Sequence, residues 1–253
     1  HTRSVSAFLL NRSSDPAIMY TISDYSFNSP SVGKLSPETR KNHIAELLGN
    51  QMFIHGGLNE ANEILNDCYL LTLNTLKWNI CSISKYTPAP KLYGHASCIV
   101  IPHTLLFHHK FTIYSYPNLE PGKVSNLIKE KGIYIFGGKS KEEGGLSNQL
   151  EILITGKKPM EWVQPETKGK PPSPRYFHSM NYYEKGNFLI IHGGRNDNMS
   201  ESCALNDTYI FDLENFDWIK IILYSQLPGF KVLNRCGHQS VIYGNKLIIV
   251  GGM

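Results

Sequence analysis

Four of the Gly-Gly pairs in the 253-residue chain close a short apolar run. The pairs are Gly56-Gly57, Gly137-Gly138, Gly193-Gly194 and Gly251-Gly252, and the runs before them read QMFIH, GIYIF, FLIIH and LIIV. These runs are rich in β-branched and aromatic residues, which favours strands over helices. A β-rich unit that repeats predicts an array of similar units, and such arrays usually act as binding surfaces.

Further elements accompany the glycine pairs in a constant order. An Asn-rich turn follows three of the pairs, at Asn66, Asn148 and Asn206. A strand then leads to a tryptophan, which is Trp78, Trp162 or Trp218. A basic residue and a histidine precede each apolar run, as Arg40 and His43, Lys91 and His95, Arg175 and His178, and Arg235 and His238. Because several element types recur together, the combined motif is far more specific than a lone Gly-Gly pair.

This pattern resembles the kelch repeat, which forms one four-stranded antiparallel blade of a β-propeller. The resemblance covers residues 40–253 well and residues 1–39 weakly, and it implies an all-β, kelch-type propeller. The blades are predicted at 1–39 (degenerate), 40–90, 91–174 and 175–234, with a half blade at 235–253. A propeller closes with about 4–8 blades. Because the last segment ends at Gly-Gly-Met, we expect an incomplete set of blades from a longer polypeptide.

The repeated residues have structural roles in this interpretation. The glycine pairs let the chain leave the sheet at positive φ or pack its backbone closely against the next blade. The three tryptophans are expected to fill the gaps between adjacent blades, and a stacking platform for bases or sugars is the alternative. The four histidines that precede the apolar runs occupy one place in every repeat, which favours packing or backbone hydrogen bonding over catalysis.

Composition narrows the classes of partner and compartment. The net charge is +4 and only 18% of residues are charged, without a basic stripe interleaved with aromatic residues, so nucleic acid is not expected as a partner. The chain lacks an apolar run long enough to span a membrane. Its five cysteines are odd in number and widely spaced, which is typical of a reducing compartment. We expect a cytoplasmic protein, with association with the cytoskeleton as one option.

The sequence contains none of the usual catalytic fingerprints for zinc hydrolases, nucleophile elbows, P-loops or dinucleotide binding. His108 and His109 are neighbours, and neighbours on a strand point to opposite faces, so they cannot easily share a metal. We therefore expect no metal, cofactor, small-molecule substrate or enzymatic activity. The alternative is a copper oxidase resembling galactose oxidase, which builds its site on a kelch-type propeller and which 14 Tyr and 5 Cys do not exclude.

Two sets of loops are expected to meet on one rim of such a propeller. One set precedes the inner strands and the other follows the Gly-Gly pairs, and the predicted partner-binding residues in them are Tyr93, Lys139, Arg175, Tyr176 and Arg195. Arg and Tyr are enriched at interface hot spots. An arginine-lined rim suits an acidic or phosphorylated peptide. The alternative for the repeated arginines is that each braces a neighbouring blade.

One segment, residues 102–130, has no counterpart in the other repeats. It is rich in aromatic residues, among them Phe111 and Tyr114, and long unrepeated loops on a scaffold are often functional. We count these two residues as further candidates for partner binding. The resulting expectation is a non-catalytic scaffold or adaptor that binds other proteins within a multi-subunit assembly. A substrate receptor of a ubiquitin ligase and a cytoskeletal scaffold are both compatible with it.

Overall fold

The structure is a computed structural model that describes residues 35–101, 132–140, 145–199, 202–223 and 232–253. These residues all belong to one compact unit, Ser31–Met253. The regular elements in them are β-strands apart from one 3-10 turn, Glu184–Gly186, which confirms the all-β prediction. Nearly all of the predicted degenerate blade 1–39 and the whole of the insertion 102–130 lie outside the described residues.

Blade A is a four-stranded antiparallel sheet whose strands follow chain order. It consists of β1 (Ile44–Leu48), β2 (Gln51–His55), β3 (Cys68–Thr72) and β4 (Lys77–Ile80). The register pairs Ile44 with His55 and Tyr69 with Ile80. The Gly56-Gly57 pair leaves the sheet directly after β2, at the end of the blade that also holds the start of β1.

Blade B repeats this arrangement and carries a small additional hairpin after its own Gly-Gly pair. Its elements are β5 (Ala96–Val100), β6 (Gly132–Phe136), β7 (Lys139–Ser140), β8 (Gly145–Leu146), β9 (Leu150–Ile154) and β10 (Glu161–Val163). Strands β5, β6, β9 and β10 form the blade, and β7 pairs with β8. The insertion therefore falls between the first two strands of this blade.

Blade C is the most extended sheet, and blade D is a hairpin. The elements are β11 (Lys168–Gly169), β12 (Ser179–Tyr183), β13 (Phe188–Arg195), β14 (Ala204–Asp212), β15 (Asp217–Ile221), β16 (Gln239–Tyr243) and β17 (Lys246–Val250). Blade C contains β12 to β15 in antiparallel order, with β11 paired in parallel to the outer strand β15. Among the described residues, blade D contains β16 and β17.

Adjacent blades pack face to face. Their first strands contact one another in the order β1, β5, β12 and β16. Strand β6 is buried along its whole length because both of its faces are covered. Alternate side chains serve the two sides, since Ile133 and Ile135 belong to the core shared with blade A, whereas Tyr134 and Phe136 belong to the core shared with blade C. The fully buried apolar run at β6 follows from this packing.

The three tryptophans occupy the same register position in their blades but different environments. The Trp162 ring lies 5.0 Å from the His55 ring of blade A, and the Trp218 ring lies 5.0 Å from the Phe136 ring of blade B. Both indoles are buried between blades. Trp78 is half-buried and meets Tyr69 of its own blade edge-on, at 6.4 Å between ring centroids.

The segments that leave blades A and B each cover the outer edge of the next blade. Strand β11 pairs in parallel with Asp217 and Trp218 at the edge of blade C. In the same way, Ile83 forms a parallel bridge with Met160 beside β10 of blade B. Each linker thus supplies hydrogen-bond partners to an edge that would otherwise be exposed to pairing with other chains.

Candidate functional site

The Gly-Gly pairs join one blade to the next. Gly137 and Gly138 have φ values of 65° and 101°, which L-residues with side chains rarely adopt. The Gly138 amide donates to the carbonyl of Arg175 in blade C at 2.8 Å. A Cβ on Gly137 would lie 2.5 Å from the same carbonyl oxygen, so this position has no room for a side chain. Gly57 and Gly194 make equivalent inter-blade bonds, to Leu92 at 2.9 Å and to Arg235 at 2.9 Å.

These bonds correct the alignment of the repeats in blade B. The carbonyl that receives the inter-blade bond belongs to Arg175 and Arg235 in two repeats and to Leu92 in the third. Leu92, rather than Lys91, therefore occupies the place of the repeated basic residue. The sequence K-L-Y-G-H has one residue more between its basic residue and its histidine than the other repeats, and this shift hid the correspondence.

The repeated arginine is an internal brace of its own blade. The Arg175 guanidinium donates to Asp207 through two bonds of 2.6 and 2.9 Å, and to the Gly193 carbonyl at 2.9 Å. Arg40 makes the same bidentate pair with Asp67. The Arg175 side chain is fully buried. The structure thus places this predicted partner-binding residue in the blade interior, away from the solvent-exposed rim, because its donors are used by the turn aspartate and by backbone.

A second repeated contact builds the rim. The residue after each arginine position forms a backbone bridge with the residue that follows the Gly-Gly pair, as Tyr93 with Lys139 and Tyr176 with Arg195. The amide of Arg195 donates to the Tyr176 carbonyl at 2.8 Å, and the amide of Lys139 donates to the Tyr93 carbonyl at 2.9 Å. Each bridge therefore places one aromatic and one basic side chain next to each other.

The two bridges come together in a group that we call the rim cluster. It consists of Tyr93, Lys139, Tyr176, Phe177, Arg195 and Asp197. The Tyr93 and Tyr176 rings lie 6.2 Å apart at their centroids, and the Tyr176 and Phe177 rings 4.6 Å apart. Lys139 Nζ lies 5.3 Å from the centre of the Tyr176 ring, within reach of a cation–π interaction. Four residues predicted separately from the sequence are thus brought into one surface.

Asp197 accepts hydrogen bonds from three other side chains of the rim cluster. Its carboxylate accepts from Lys139 Nζ at 2.8 Å, from Arg195 Nε at 2.6 Å and from the Tyr176 hydroxyl at 3.0 Å. These donors, the Lys139 ammonium first, lower the pKa of the Asp197 carboxyl to about 2. Two cations share one carboxylate, so the cluster has one positive charge in excess. The side chains of Lys139 and Arg195 remain 32% and 42% exposed, which leaves donors available to a partner.

Sequence reasoning did not single out Asp197 and Phe177 within these loops. The role of Asp197 depends on side chains from two blades, which no local pattern shows. Phe177 had a signal in the sequence, because the corresponding residues of the other repeats are Asn42, Gly94 and Gly237, all of which suit a left-handed turn. Phe111 and Tyr114, the remaining predicted partner-binding residues, lie outside the described residues.

Five histidines of the described blades are buried, namely His55, His95, His178, His192 and His238, whereas His43 is exposed. Burial lowers the pKa of His55 and of His192 to about 4, and it places the pKa of His95 and His178 well below the usual value. His95 Nε2 lies 3.2 Å from His55 Nδ1. Within the ranges that the structure describes, groups of three or more His, Cys, Asp or Glu able to hold a metal ion are absent.

A separate groove of about 510 Å³ lies between blades A and B. It is lined by residues 87–92 of the linker and by residues 162–164 after β10. The Thr87 hydroxyl accepts from the Trp162 amide at 3.2 Å, so the linker is tied to the outer strand there. The groove carries no group of reactive or metal-binding side chains among its described lining residues.

In the part of the chain with described coordinates, we find no helix with the length and apolar character that a membrane crossing requires.

Comparison with known proteins supports the propeller architecture. Relatives of similar sequence include an acyl-CoA-binding domain-containing protein 4 from Arabidopsis thaliana, 26% identical over 92% of this chain and 38% of its own length. Kelch domain-containing protein 3 from Rattus norvegicus is 27% identical over 85% of this chain and 48% of its own length. The host cell factor homolog hcf-1 from Caenorhabditis elegans is 24% identical over 81% of this chain and 24% of its own length.

The chain spans less than half the length of each of these relatives, so the activities of the whole relatives are not assigned to it. The predicted kelch resemblance is nevertheless confirmed, both by the kelch-domain relative and by the repeated blades. The sequence profile of the Attractin/LZTR1 beta-propeller family matches residues 7–253, nearly the whole chain. The chain belongs to the Attractin/LZTR1 beta-propeller family, a kelch-type propeller family.

Proposed function

We propose that this protein is an adaptor that binds another protein through the rim cluster. The partner is an extended, acidic segment, whose carboxylate takes a place beside Asp197 between Lys139 and Arg195. Arg195 offers its terminal nitrogens to this carboxylate, because Asp197 contacts the side chain at Nε. Charge-assisted hydrogen bonds of this kind are the strong class in protein recognition.

This proposal rests on the basic and aromatic side chains that lie together in the rim cluster. Basic and aromatic side chains from two blades meet in a cluster that is partly exposed, apart from the buried Tyr176 ring. Arg and Tyr are enriched among the residues that dominate binding energy. The backbone bridges hold them on strand ends, so a partner would not have to order a loop before binding. Preorganised sites lose less conformational entropy on association.

The test is a triple variant that combines Lys139→Glu, Arg195→Glu and Tyr176→Ala. We expect capture of protein partners from native extract to fall at least about thirtyfold, since the loss of a hot spot costs about 2 kcal/mol or more. Capture is measured by quantitative pull-down, with thermal melts recorded in parallel. Because the Tyr176 ring is buried, the double variant Lys139→Glu with Arg195→Glu, which keeps this ring, is measured alongside and should lose capture while melting as the wild type does.

A matched control carries charge reversals of the same sign at Lys185 and Lys246. Both lysines are exposed. Lys185 lies in the 3-10 turn before β13, and Lys246 is the first residue of β17, so both are at the strand end opposite the Gly-Gly pair. This control should capture partners as the wild type does. The proposal is wrong if the triple variant melts normally and still recovers the same partners at the wild-type level.

A further inference from the structure

Phe177 adopts a backbone conformation that is costly for its residue type. Its φ is 55°, in the left-handed region, where a bulky side chain is an outlier. Strain of this kind persists only where the surrounding structure imposes it, and it is concentrated at functional sites. The observation calls for a reason why phenylalanine stands at this position.

The surrounding structure shows what imposes the conformation. The four repeats form a chain of backbone hydrogen bonds in which Gly94 donates to Asn42, Phe177 to Gly94 and Gly237 to Phe177, at 2.9, 2.8 and 2.8 Å. All four residues have positive φ. Three repeats use Asn or Gly, the residues that adopt this conformation at low cost. The blade geometry therefore requires a residue with positive φ at this position. It does not require phenylalanine, so the aromatic side chain needs a separate explanation.

The Phe177 ring is also not needed to fill a core. It belongs to neither of the buried apolar clusters that lie between the blades. The ring lies over Gly94 instead, where a Cβ at position 94 would be 2.9 Å from Phe177 Cε1. It remains partly exposed beside the Tyr176 ring. A strained, partly exposed ring thus lies in the rim cluster beside the Tyr176 ring, over which the Lys139 ammonium lies.

We propose that Phe177 is a specificity-determining residue that stacks on an aromatic side chain of the partner. This inference rests on the proposed function, because the aromatic side chain is expected directly beside the carboxylate that Arg195 and Lys139 bind. Aromatic rings prefer offset or edge-on partners, and the partly exposed Phe177 ring, supported from beneath by the buried Tyr176 ring, presents such a surface. The recognised element is an acidic residue adjacent to an aromatic residue in an extended segment of another protein.

The experiment selects peptides from a random dodecapeptide display library on the wild type and on Phe177→Gly. The wild-type pool should be enriched in Asp or Glu adjacent to Phe, Tyr or Trp. The Phe177→Gly pool should keep the acidic enrichment and lose the aromatic one. For the strongest wild-type peptide, replacing its aromatic residue by Ala should weaken binding about fivefold to the wild type and by less than about twofold to Phe177→Gly, as measured by fluorescence polarisation.

A stability measurement separates this role from a structural one. Glycine relieves the left-handed strain, so Phe177→Gly should melt at or above the temperature of the wild type. Asn42→Gly changes the same position of blade A and should alter neither the peptide pool nor the melting temperature appreciably. A decrease of more than about 4 °C for Phe177→Gly, which corresponds to loss of ordinary packing, overturns the specificity role.

The outcomes also separate this inference from the proposed function. An aromatic preference that survives in Phe177→Gly, or acidic peptides without any aromatic preference in the wild-type pool, overturns the role of Phe177 alone. A wild-type pool without acidic enrichment overturns the proposed function together with it. As a check on the acidic preference, the variant that combines Lys139→Glu and Arg195→Glu should lose it.

Discussion

At the scale of single residues, the repeats show how one position can change its chemistry while its backbone role stays fixed. Blades A and C hold an arginine against an aspartate, whereas blade B has Leu92 and Gln149 at the same two places. The apolar residue and the neutral amide replace the cation and the anion together. This is the expected pattern if a buried charge is tolerated only with its partner.

The first prediction transfers the pair of blade B into blade C. Arg175→Leu alone should destabilise the protein by about 3–5 kcal/mol, because it leaves the Asp207 carboxylate and the Gly193 carbonyl without their donors. Adding Asp207→Gln should restore part of this loss, with a coupling energy of about 1–3 kcal/mol. Denaturant unfolding of both single variants and the double variant measures the cycle. Additive losses would show that the two residues do not act as a pair.

Some residue roles could be predicted from the sequence and others could not. The convergence of Tyr93, Tyr176, Lys139 and Arg195 follows from their places in the repeat, since equivalent positions lie on the same side of each blade. The burial of Arg175 does not follow, because a repeated arginine suits both a binding rim and an internal brace. The strain at Phe177 and the shared hydrogen bonds of Asp197 depend on contacts between blades.

At the scale of the elements, blade packing depends on residues that look equivalent in the repeat. Trp78, Trp162 and Trp218 share one register position, yet only the latter two are buried between blades. The sequence predicts one role for all three because it shows the position and not the neighbour. What differs is the surface that covers each ring, which for Trp218 includes Phe136 and Phe211.

The second prediction compares these equivalent tryptophans. Trp218→Ala should reduce the free energy of unfolding by about 3–5 kcal/mol, as is usual for a large aromatic residue removed from a core. Trp78→Ala should cost about 1 kcal/mol, since its ring is half-buried on its own blade. Denaturation midpoints of the two variants give the comparison. The packing implies that the core between blades B and C depends on Trp218. Equal midpoints for the two variants would contradict this.

At the scale of the described unit, stability and recognition are assigned to different parts of one repeat. The glycine pairs, arginine braces and interblade cores fix the blades, and the residues one position further along carry the rim cluster. A propeller can therefore change its rim chemistry from blade to blade while its architecture is retained. Blade A shows this, since its bridge joins Lys41 to Leu58 where the next two blades have a tyrosine with a basic residue.

The most direct measurement places a photoreactive benzoylphenylalanine at Tyr93 in the rim cluster, or at Tyr243, which is 74% exposed and lies at the far end of β16. Irradiation in native extract should cross-link a partner protein from position 93 and not from position 243. The adduct at position 93 should disappear when Lys139→Glu and Arg195→Glu are added. Adducts that form only from position 243, or that persist at position 93 despite the reversed charges, would contradict binding through the rim cluster.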